Sequence, residues 1–325
     1  MNVRFGIVGL GSISNRFASV LKTVEGVELS AVASSELSRT VAFAQKYNAK
    51  IACGDYMDVI SSKDVDVVYI GLTHNFHYEI TKLCLENHKA VLCEKPFVTT
   101  KQDAEEMCAL AGKNRTLLME ALWTRCMPAF IKAKEWIKAG KIGQVKLITA
   151  NFSHTTDYDP GNRLFNPKLA GGSLFDLGVY PIDFTTGILQ EYPNSIGGVA
   201  TISPSGVDES AAFSLRFASG ALASLTCGFN VNAMGEATVY GTKGKVILEN
   251  CFGPQECELF DADNKLVERF EKRVPDGFVY QIRHCADLFR RGKLESELIP
   301  WQDTIGLDYI IDLLNESVET IFEQF

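Results

Sequence analysis

The residues best placed to do chemistry lie in three stretches. In Ala90-Val91-Leu92-Cys93-Glu94-Lys95-Pro96 an apolar run ends abruptly in an acid, a base and a proline. The run predicts a buried parallel strand, which sets Lys95 at the carboxyl edge of a sheet, where open α/β folds hold their ligands. Pro96 cannot continue the hydrogen-bonded ladder, so the chain must turn there, through a trans or a cis bond. A lysine in that place needs a partner or a chemical role. An ion pair with Glu94 would be the first, and holding negative charge that develops on a substrate would be the second. The second stretch is Gly9-Leu10-Gly11-Ser12-Ile13-Ser14, between a β-rich run at Val3–Val8 and a helical pattern over residues 15–22. Strand, glycine turn and helix form the setting that a dinucleotide fingerprint requires. Gly9 permits the tight turn, and Gly11 lets the backbone approach a pyrophosphate lying on the helix that Ser12 and Ile13 open. The third small position is Ser14. The third stretch holds Asp176 and Tyr180, four apart and therefore on one face if residues 173–188 form a helix. Taken alone, they read more readily as an acid in a first helical turn and a core aromatic, and Lys95 upstream reverses that weighting.

The intervening pattern must bring these stretches to one place. Residues 27–33 read as a second strand, ending in Ser34 and Ser35, with Arg39 close behind. A site for NAD commonly ends this strand in an acid that holds the ribose 2′-hydroxyl. Two hydroxyls and a guanidinium can instead receive a 2′-phosphate, so the pattern favours NADP, unless Glu36 turns inward and favours NAD. Helical patterns are expected at residues 38–47 and 55–60, and an apolar strand at 65–72. Thr73-His74-Asn75-Phe76-His77 follows that strand. Thr73 and Asn75 can bind phosphate or ribose hydroxyls, or simply cap the helix that runs to Glu86. His77 reads as a histidine that fixes its loop, and His74 stays open. Thr100-Lys101-Gln102-Asp103 is a helix start, and residues 115–121 make one more strand leading into Trp123-Thr124-Arg125.

Beyond residue 123 the architecture changes. A helix is expected over 128–139 and a strand over 145–153, followed by a loop-rich stretch, 155–169, in which Arg163 is the candidate substrate contact. From residue 197 to 270 the helical period disappears. In Glu209–Phe217 the residues Phe213, Leu215 and Phe217 alternate with Ser214 and Arg216, and turns at Ser219-Gly220 and residues 241–244 punctuate an antiparallel sheet. Helices at 279–291 and 304–325 close the chain. The expected fold is a Rossmann domain with a doubly wound parallel sheet over residues 1–123. An α+β domain with a large, mostly antiparallel open sheet follows over 124–325.

With 325 residues, 46% of them apolar and 22% charged, the chain can bury two substantial cores. A net charge of −8 argues against nucleic acid or an anionic membrane as the partner. The nine cysteines show neither Cys-x-x-Cys pairs nor metal-ligand spacing, so reduced thiols within cores, no metal and a cytoplasmic setting are expected. The first strand begins at residue 3 without an apolar leader.

The strand–Gly-Leu-Gly–helix opening, Glu94-Lys95-Pro96, and Gly171-Gly172-Ser173-Leu174-Phe175-Asp176-Leu177-Gly178-Val179-Tyr180 together resemble the glucose–fructose oxidoreductase/inositol dehydrogenase (Gfo/Idh/MocA) family, over nearly the whole chain. Glu120-Ala121-Leu122-Trp123-Thr124-Arg125 is similar to its dihydrodiol and xylose dehydrogenase subgroup. The resemblance implies that Lys95 binds the reacting oxygen and the nicotinamide ribose. It further implies that Asp176 contacts substrate or orients the acid/base, that Tyr180 is the proton donor, and that Glu94, Trp123 and Arg125 belong to the cofactor site. The chemistry is coherent with that. Hydride transfer at an alcohol carbon needs a group to move the hydroxyl proton and a positive charge to hold the alkoxide. An ammonium beside a phenol, whose pKa is ordinarily about 10, favours the phenolate. The expected activity is NADP-preferring hydride transfer to or from a sugar, polyol or cyclic diol. The expected assembly is a homodimer or homotetramer through the C-terminal sheet. Two alternatives are a cofactor-assisted glycoside-cleaving enzyme on the same scaffold and a non-catalytic NAD(P)-binding regulator.

Overall fold

A computed structural model of the chain describes residues 2–233 and 235–322, the side chains of 317–322 excepted. It divides into two compact units, Met1–Ala121 with Phe278–Ile305, and Leu122–Gly277 with Gly306–Phe325. The return of Phe278–Ile305 to the first unit joins a segment that sequence pattern placed with the second.

The first unit alternates strand and helix: β1 (Val3–Val8), α1 (Ser12–Leu21), β2 (Val27–Ala33), α2 (Leu37–Tyr47), β3 (Ile51–Cys53), α3 (Tyr56–Ser61), β4 (Val67–Ile70), α4 (His77–Glu86), β5 (Ala90–Cys93), α5 (Lys101–Asn114) and β6 (Leu118–Glu120). The strands pair in parallel in the order β3-β2-β1-β4-β5-β6. The order reverses between β1 and β4, so the chain leaves the sheet in opposite directions there and opens a crevice at the carboxyl edge. β4 and β5 are buried on every residue, as strands covered on both faces must be. Local signals hold where the chemistry is local. Thr100 Oγ1 accepts from Asp103 N–H at 3.2 Å and starts α5, and Asp55 accepts from Met57 N–H at 2.7 Å to start α3. Only three residues long, with Ile51 exposed, β3 carries no period that a sequence window could detect.

The second unit starts with a 3₁₀ turn at Trp123–Cys126 and α6 (Pro128–Lys138), and continues through β7 (Val145–Ser153) and α7 (Val179–Leu189). Seven strands follow: β8 (Pro193–Ile202), β9 (Asp208–Phe217), β10 (Leu222–Gly228), β11 (Ala237–Gly241), β12 (Gly244–Leu248), β13 (Glu256–Asp261) and β14 (Leu266–Glu271). Their sheet runs β14-β13-β12-β11-β7-β10-β9-β8, antiparallel except between β7 and β10. β9 buries Phe213, Leu215 and Phe217 and exposes Ser214 and Arg216, as its alternation predicts. Each of those three side chains contributes about 1.5–3 kcal/mol by burial. The chain ends in α8 (Phe278–Arg290) and α9 (Trp301–Phe322).

The helix expected over residues 173–188 is not one regular helix. Leu174–Gly178 form a π-helical turn, with α7 following from Val179. Each of the nine cysteines is a free, buried thiol. No helix among the described residues is long and apolar enough to cross a membrane. None of their His, Cys, Asp and Glu side chains form a group of three that could hold a metal ion.

Candidate active site

In the first unit the chemistry gathers at the carboxyl edge of the parallel sheet. Gly9 N–H donates to Ala33 O at 3.0 Å, Gly71 N–H to Val8 O at 2.9 Å, and Glu94 N–H to Ile70 O at 3.0 Å, so the loops after β1, β2, β4 and β5 leave the sheet side by side. The two glycines of the first turn serve different ends. Gly9 sits at φ +84°, and a Cβ there would lie 2.7 Å from Leu72 Cδ2 and 2.8 Å from the Gly71 carbonyl. Gly11, at φ −76° and ψ −168°, needs no glycine for its backbone, and a Cβ on it would meet nothing within 4 Å. That open space lies where α1 begins, and the first turn of α1 carries no acidic side chain. A phosphate approaching the helix N-terminus would find the positive end of its dipole and no competing carboxylate in that turn. The third small residue, Ser14, is fully buried, and a Cβ on Gly71 would come within 2.2 Å of its hydroxyl. Close packing of α1 on the sheet demands both small residues.

Arg39 projects from α2 to the same turn, its Nη2 at 3.5 Å from Leu10 O. Ser35 is exposed beside it, whereas Ser34 serves a different purpose from the one expected. Ser34 is 3% exposed, and its Oγ donates to Glu36 O at 2.9 Å and shares a hydrogen bond with Thr40 Oγ1 at 2.9 Å. Its hydroxyl fastens the start of α2, because a buried hydroxyl must be satisfied internally. Glu36 accepts from Ser38 Oγ, next to it on α2. After β4, Thr73 Oγ1 donates to Asn75 Oδ1 at 2.8 Å, and His74 is buried with its ring centroid 5.8 Å from that of His77.

Lys95 is half-buried on a loop pinned from several directions. The Lys95–Pro96 bond is cis. His77 Nδ1 lies 2.9 Å from Pro96 O and its Nε2 3.2 Å from Leu72 O, so the ring ties the loop after β5 to the loop after β4. Burial holds the His77 pKa below the ordinary imidazole value. Phe97 N–H donates to Glu120 Oε1 at 3.0 Å. Glu94 is not held by Lys95 alone: its Oε1 accepts from Tyr69 Oη at 2.6 Å, and the Tyr69 ring stacks on Phe17 of α1 at 3.7 Å. Burial raises the Glu94 carboxyl pKa above its usual range, against the lowering effect of that phenol.

In the second unit, Tyr180 stands half-buried in the first turn of α7. Its ring meets Phe152 edge-on at 5.4 Å and Phe252 at 6.3 Å, and those two rings stack at 4.2 Å. Trp123 adjoins Phe252 at 6.5 Å. Gly253 and Gly277 make room for the indole: a Cβ on either would lie within 2.1 and 2.7 Å of it. Sequence reasoning missed Phe152 and Phe252, because an aromatic at a strand end and another in a loop read as core. Asp176, 7% exposed within the π turn, pairs with Arg163 at 3.1 Å. Arg163 therefore reaches the Asp176 carboxylate, with its own side chain 45% exposed. Arg125 is buried to 2%, its Nε donating to Asp183 Oδ1 at 2.7 Å and its Nη2 to Thr186 Oγ1 at 3.2 Å. Both partners lie on α7, so the arginine implied to line a cofactor pocket binds the helix that carries Tyr180.

Residues 3–122 match the family described as an oxidoreductase family with an NAD-binding Rossmann fold, and residues 130–247 match the GFO/IDH/MocA C-terminal domain. The chain belongs to the Gfo/Idh/MocA oxidoreductases. It is 33% identical over 341 residues to human trans-1,2-dihydrobenzene-1,2-diol dehydrogenase and 32% identical over 333 residues to the mouse protein of that name. Both alignments cover 100% of this chain and 99% of the relative. A solved structure of KijD10, a 3-ketoreductase from Actinomadura kijaniata in complex with NADP and TDP-benzene, superposes with a TM-score of 0.89 at 24% identity. That alignment covers 98% of each chain. As a member of the Gfo/Idh/MocA family the protein is an oxidoreductase, a dehydrogenase or reductase whose cofactor is NAD or NADP. The open space at Gly11 fits the pyrophosphate of such a dinucleotide.

Proposed function

We propose that this oxidoreductase uses NADP in preference to NAD and moves a hydride at a hydroxyl-bearing carbon of a cyclic diol or sugar ring. The observation that carries this reading is the setting of Tyr180, a phenol offered half-exposed from α7 against the stacked rings of Phe152 and Phe252. An aromatic wall takes the apolar face of a ring, while the phenol can exchange a proton with a hydroxyl on its rim. The bound nicotinamide supplies the hydride acceptor or donor. Tyr180 moves the hydroxyl proton, the Lys95 ammonium steadies the oxygen as its charge develops, and Asp176 fixes the orientation of the substrate. Arg163, beside Asp176, completes the substrate contacts. Gly9, Gly11, Ser12 and Ile13 receive the pyrophosphate, Ser35 and Arg39 the 2′-phosphate, and Thr73, His74, Asn75 and Glu94 border the ribose side. Arg39 supports NADP because its guanidinium already reaches the glycine turn. The outer face of the eight-stranded sheet, with Leu222 and Tyr240 exposed, supports a homodimer or homotetramer.

A panel of cyclic diols, sugars and open-chain polyols, headed by trans-1,2-dihydrobenzene-1,2-diol, tests the reading through absorbance change with NADP and with NAD. Turnover of cyclic substrates with NADP is expected. Lys95→Ala and Tyr180→Phe should each lower kcat by about 10²- to 10⁴-fold with folding intact. Near-normal turnover in either variant removes that residue from the mechanism. Substrate cleavage without net change in NADPH would replace hydride exchange by cofactor-assisted bond breaking.

A further inference from the structure

Asp208, the first residue of β9, takes no part in the proposed hydride transfer, yet it is built into the segment that presents Asp176 and Tyr180. The residue is 8% exposed, and its Oδ2 accepts from Ser173 Oγ at 2.6 Å and from Leu174 N–H at 2.8 Å. These donors open the π turn. A helix start presents amides that nothing within the helix can satisfy, and Ser173 does not cap its own segment with its side chain. A carboxylate from another strand does so instead, placing negative charge at the positive end of the dipole.

The glycines of Gly171-Gly172-Ser173 are explained by the same arrangement. Gly172 lies at φ +121°, where a Cβ would come within 2.3 Å of Asp208 Oδ1. A Cβ on Gly171 would collide with the carbonyls of Arg163 and Leu164, each at 2.7 Å, and Gly172 N–H donates to Leu164 O at 2.9 Å. Ser173 Oγ also lies 3.4 Å from Cys227 Sγ of β10, and a Cβ on Gly178 would lie 3.2 Å from that sulfur. The entry to the π turn is thus clamped by β9, by β10 and by the loop that carries Arg163. Shifting the entry would carry Asp176 and Tyr180 with it.

We propose that Asp208 is a positioning residue: through Ser173 and Leu174 it fixes the start of the π turn, and thereby where Asp176 and Tyr180 stand. The inference rests on the reading of Tyr180 as the proton carrier.

The test compares full-length wild type, Asp208→Asn, Asp208→Ala and Ser173→Ala, each with Tyr180 intact and with Tyr180→Phe added. NADPH fluorescence gives cofactor affinity, melting gives Tm, and trans-1,2-dihydrobenzene-1,2-diol with NADP gives kcat, KM and their pH profiles. An ultraviolet difference titration of each form against its Tyr180→Phe counterpart reads the ionisation of that one phenol without any substrate. Asp208→Asn should bind NADPH as wild type does and lose about tenfold or more in kcat, since a displacement near 1 Å costs up to about 100-fold. Its Tyr180 titration and the pH profile of kcat should both move. The loss should largely disappear in the Tyr180→Phe background, because the two residues act as one unit. Ser173→Ala, which deletes one of the two donors, should move the same readouts less, and it serves if Asp208→Ala does not fold. A lower Tm with wild-type kcat and an unmoved phenol titration would overturn the inference, leaving Asp208 a structural cap. Wild-type turnover by Tyr180→Phe would overturn the reading of Tyr180 instead, while the titration still decides whether Asp208 sets that side chain's surroundings.

Discussion

Gly11→Ala separates the two reasons for a glycine in a dinucleotide turn. At φ −76° and ψ −168° alanine is unstrained, and its methyl would meet no atom of the chain within 4 Å. Two small effects oppose each other: restricting the unfolded chain stabilises by about 0.4–1 kcal/mol, and alanine is a poorer N-cap than glycine by a similar amount. The net change in stability should stay within about 0.5 kcal/mol, a shift in Tm of about 2 °C or less. The methyl would occupy the space where phosphate must approach the first amides of α1. Loss of one charge-assisted hydrogen bond, about 1.5–3 kcal/mol, raises Kd for NADPH by about 10- to 100-fold. Gly9→Ala is the control. Its φ of +84° and its contacts with Leu72 and the Gly71 carbonyl leave the methyl no room, so stability should fall by about 1–3 kcal/mol together with affinity. Melting curves and NADPH fluorescence titration on the two variants suffice. If Gly11→Ala bound NADPH as tightly as wild type, the phosphates would not lie on this turn. If it lost as much stability as Gly9→Ala, the glycine would be structural.

Arg39→Ala should raise the KM for NADP several-fold and leave that for NAD within about twofold, the loss being one phosphate contact; equal losses with both cofactors would remove Arg39 from 2′-phosphate recognition. Arg125→Ala leaves the Asp183 carboxylate, 1% exposed, without its guanidinium, and should cost about 3–5 kcal/mol. Replacing both partners by apolar residues of similar volume should restore most of that in melting experiments. Asp66, 19% exposed, is hydrogen-bonded by Arg4 at 2.7 Å, and although burial pushes its pKa up, the bonds from the Arg4 side chain and backbone outweigh this and hold it below 3.8. Because the folded value lies below the unfolded one, the pair's stabilisation is complete above the unfolded pKa and is lost as pH falls through the folded one. Asp66→Asn should therefore destabilise by about 1–2 kcal/mol at neutral pH, and its Tm gap to wild type should close on acidification below about pH 3.8.

What the sequence by itself determined lies where the physics is short-range. The turn from Val8 through Gly11 into α1, the alternation in β9, the Thr100 cap and the placement of Lys95 at a strand's end all follow from residues within a few positions of one another. Backbone geometry and side-chain period act over that distance, so they are written locally. His77 is a borderline case: its role as a loop-fixing side chain was legible, but its carbonyl partner at Pro96, 19 residues away, was not. Only the tertiary structure decided that β7 lies in the middle of its sheet, parallel to β10, and that Arg125 binds Asp183, 58 residues on. It alone brought Phe252 onto Phe152 and Asp208 onto Ser173. The π turn at Leu174–Gly178 also escaped the pattern, because one extra residue in a helical turn leaves composition unchanged. Those pairings depend on which surfaces meet once the cores close, and a buried ion pair or an aromatic stack has no period for a sequence to display.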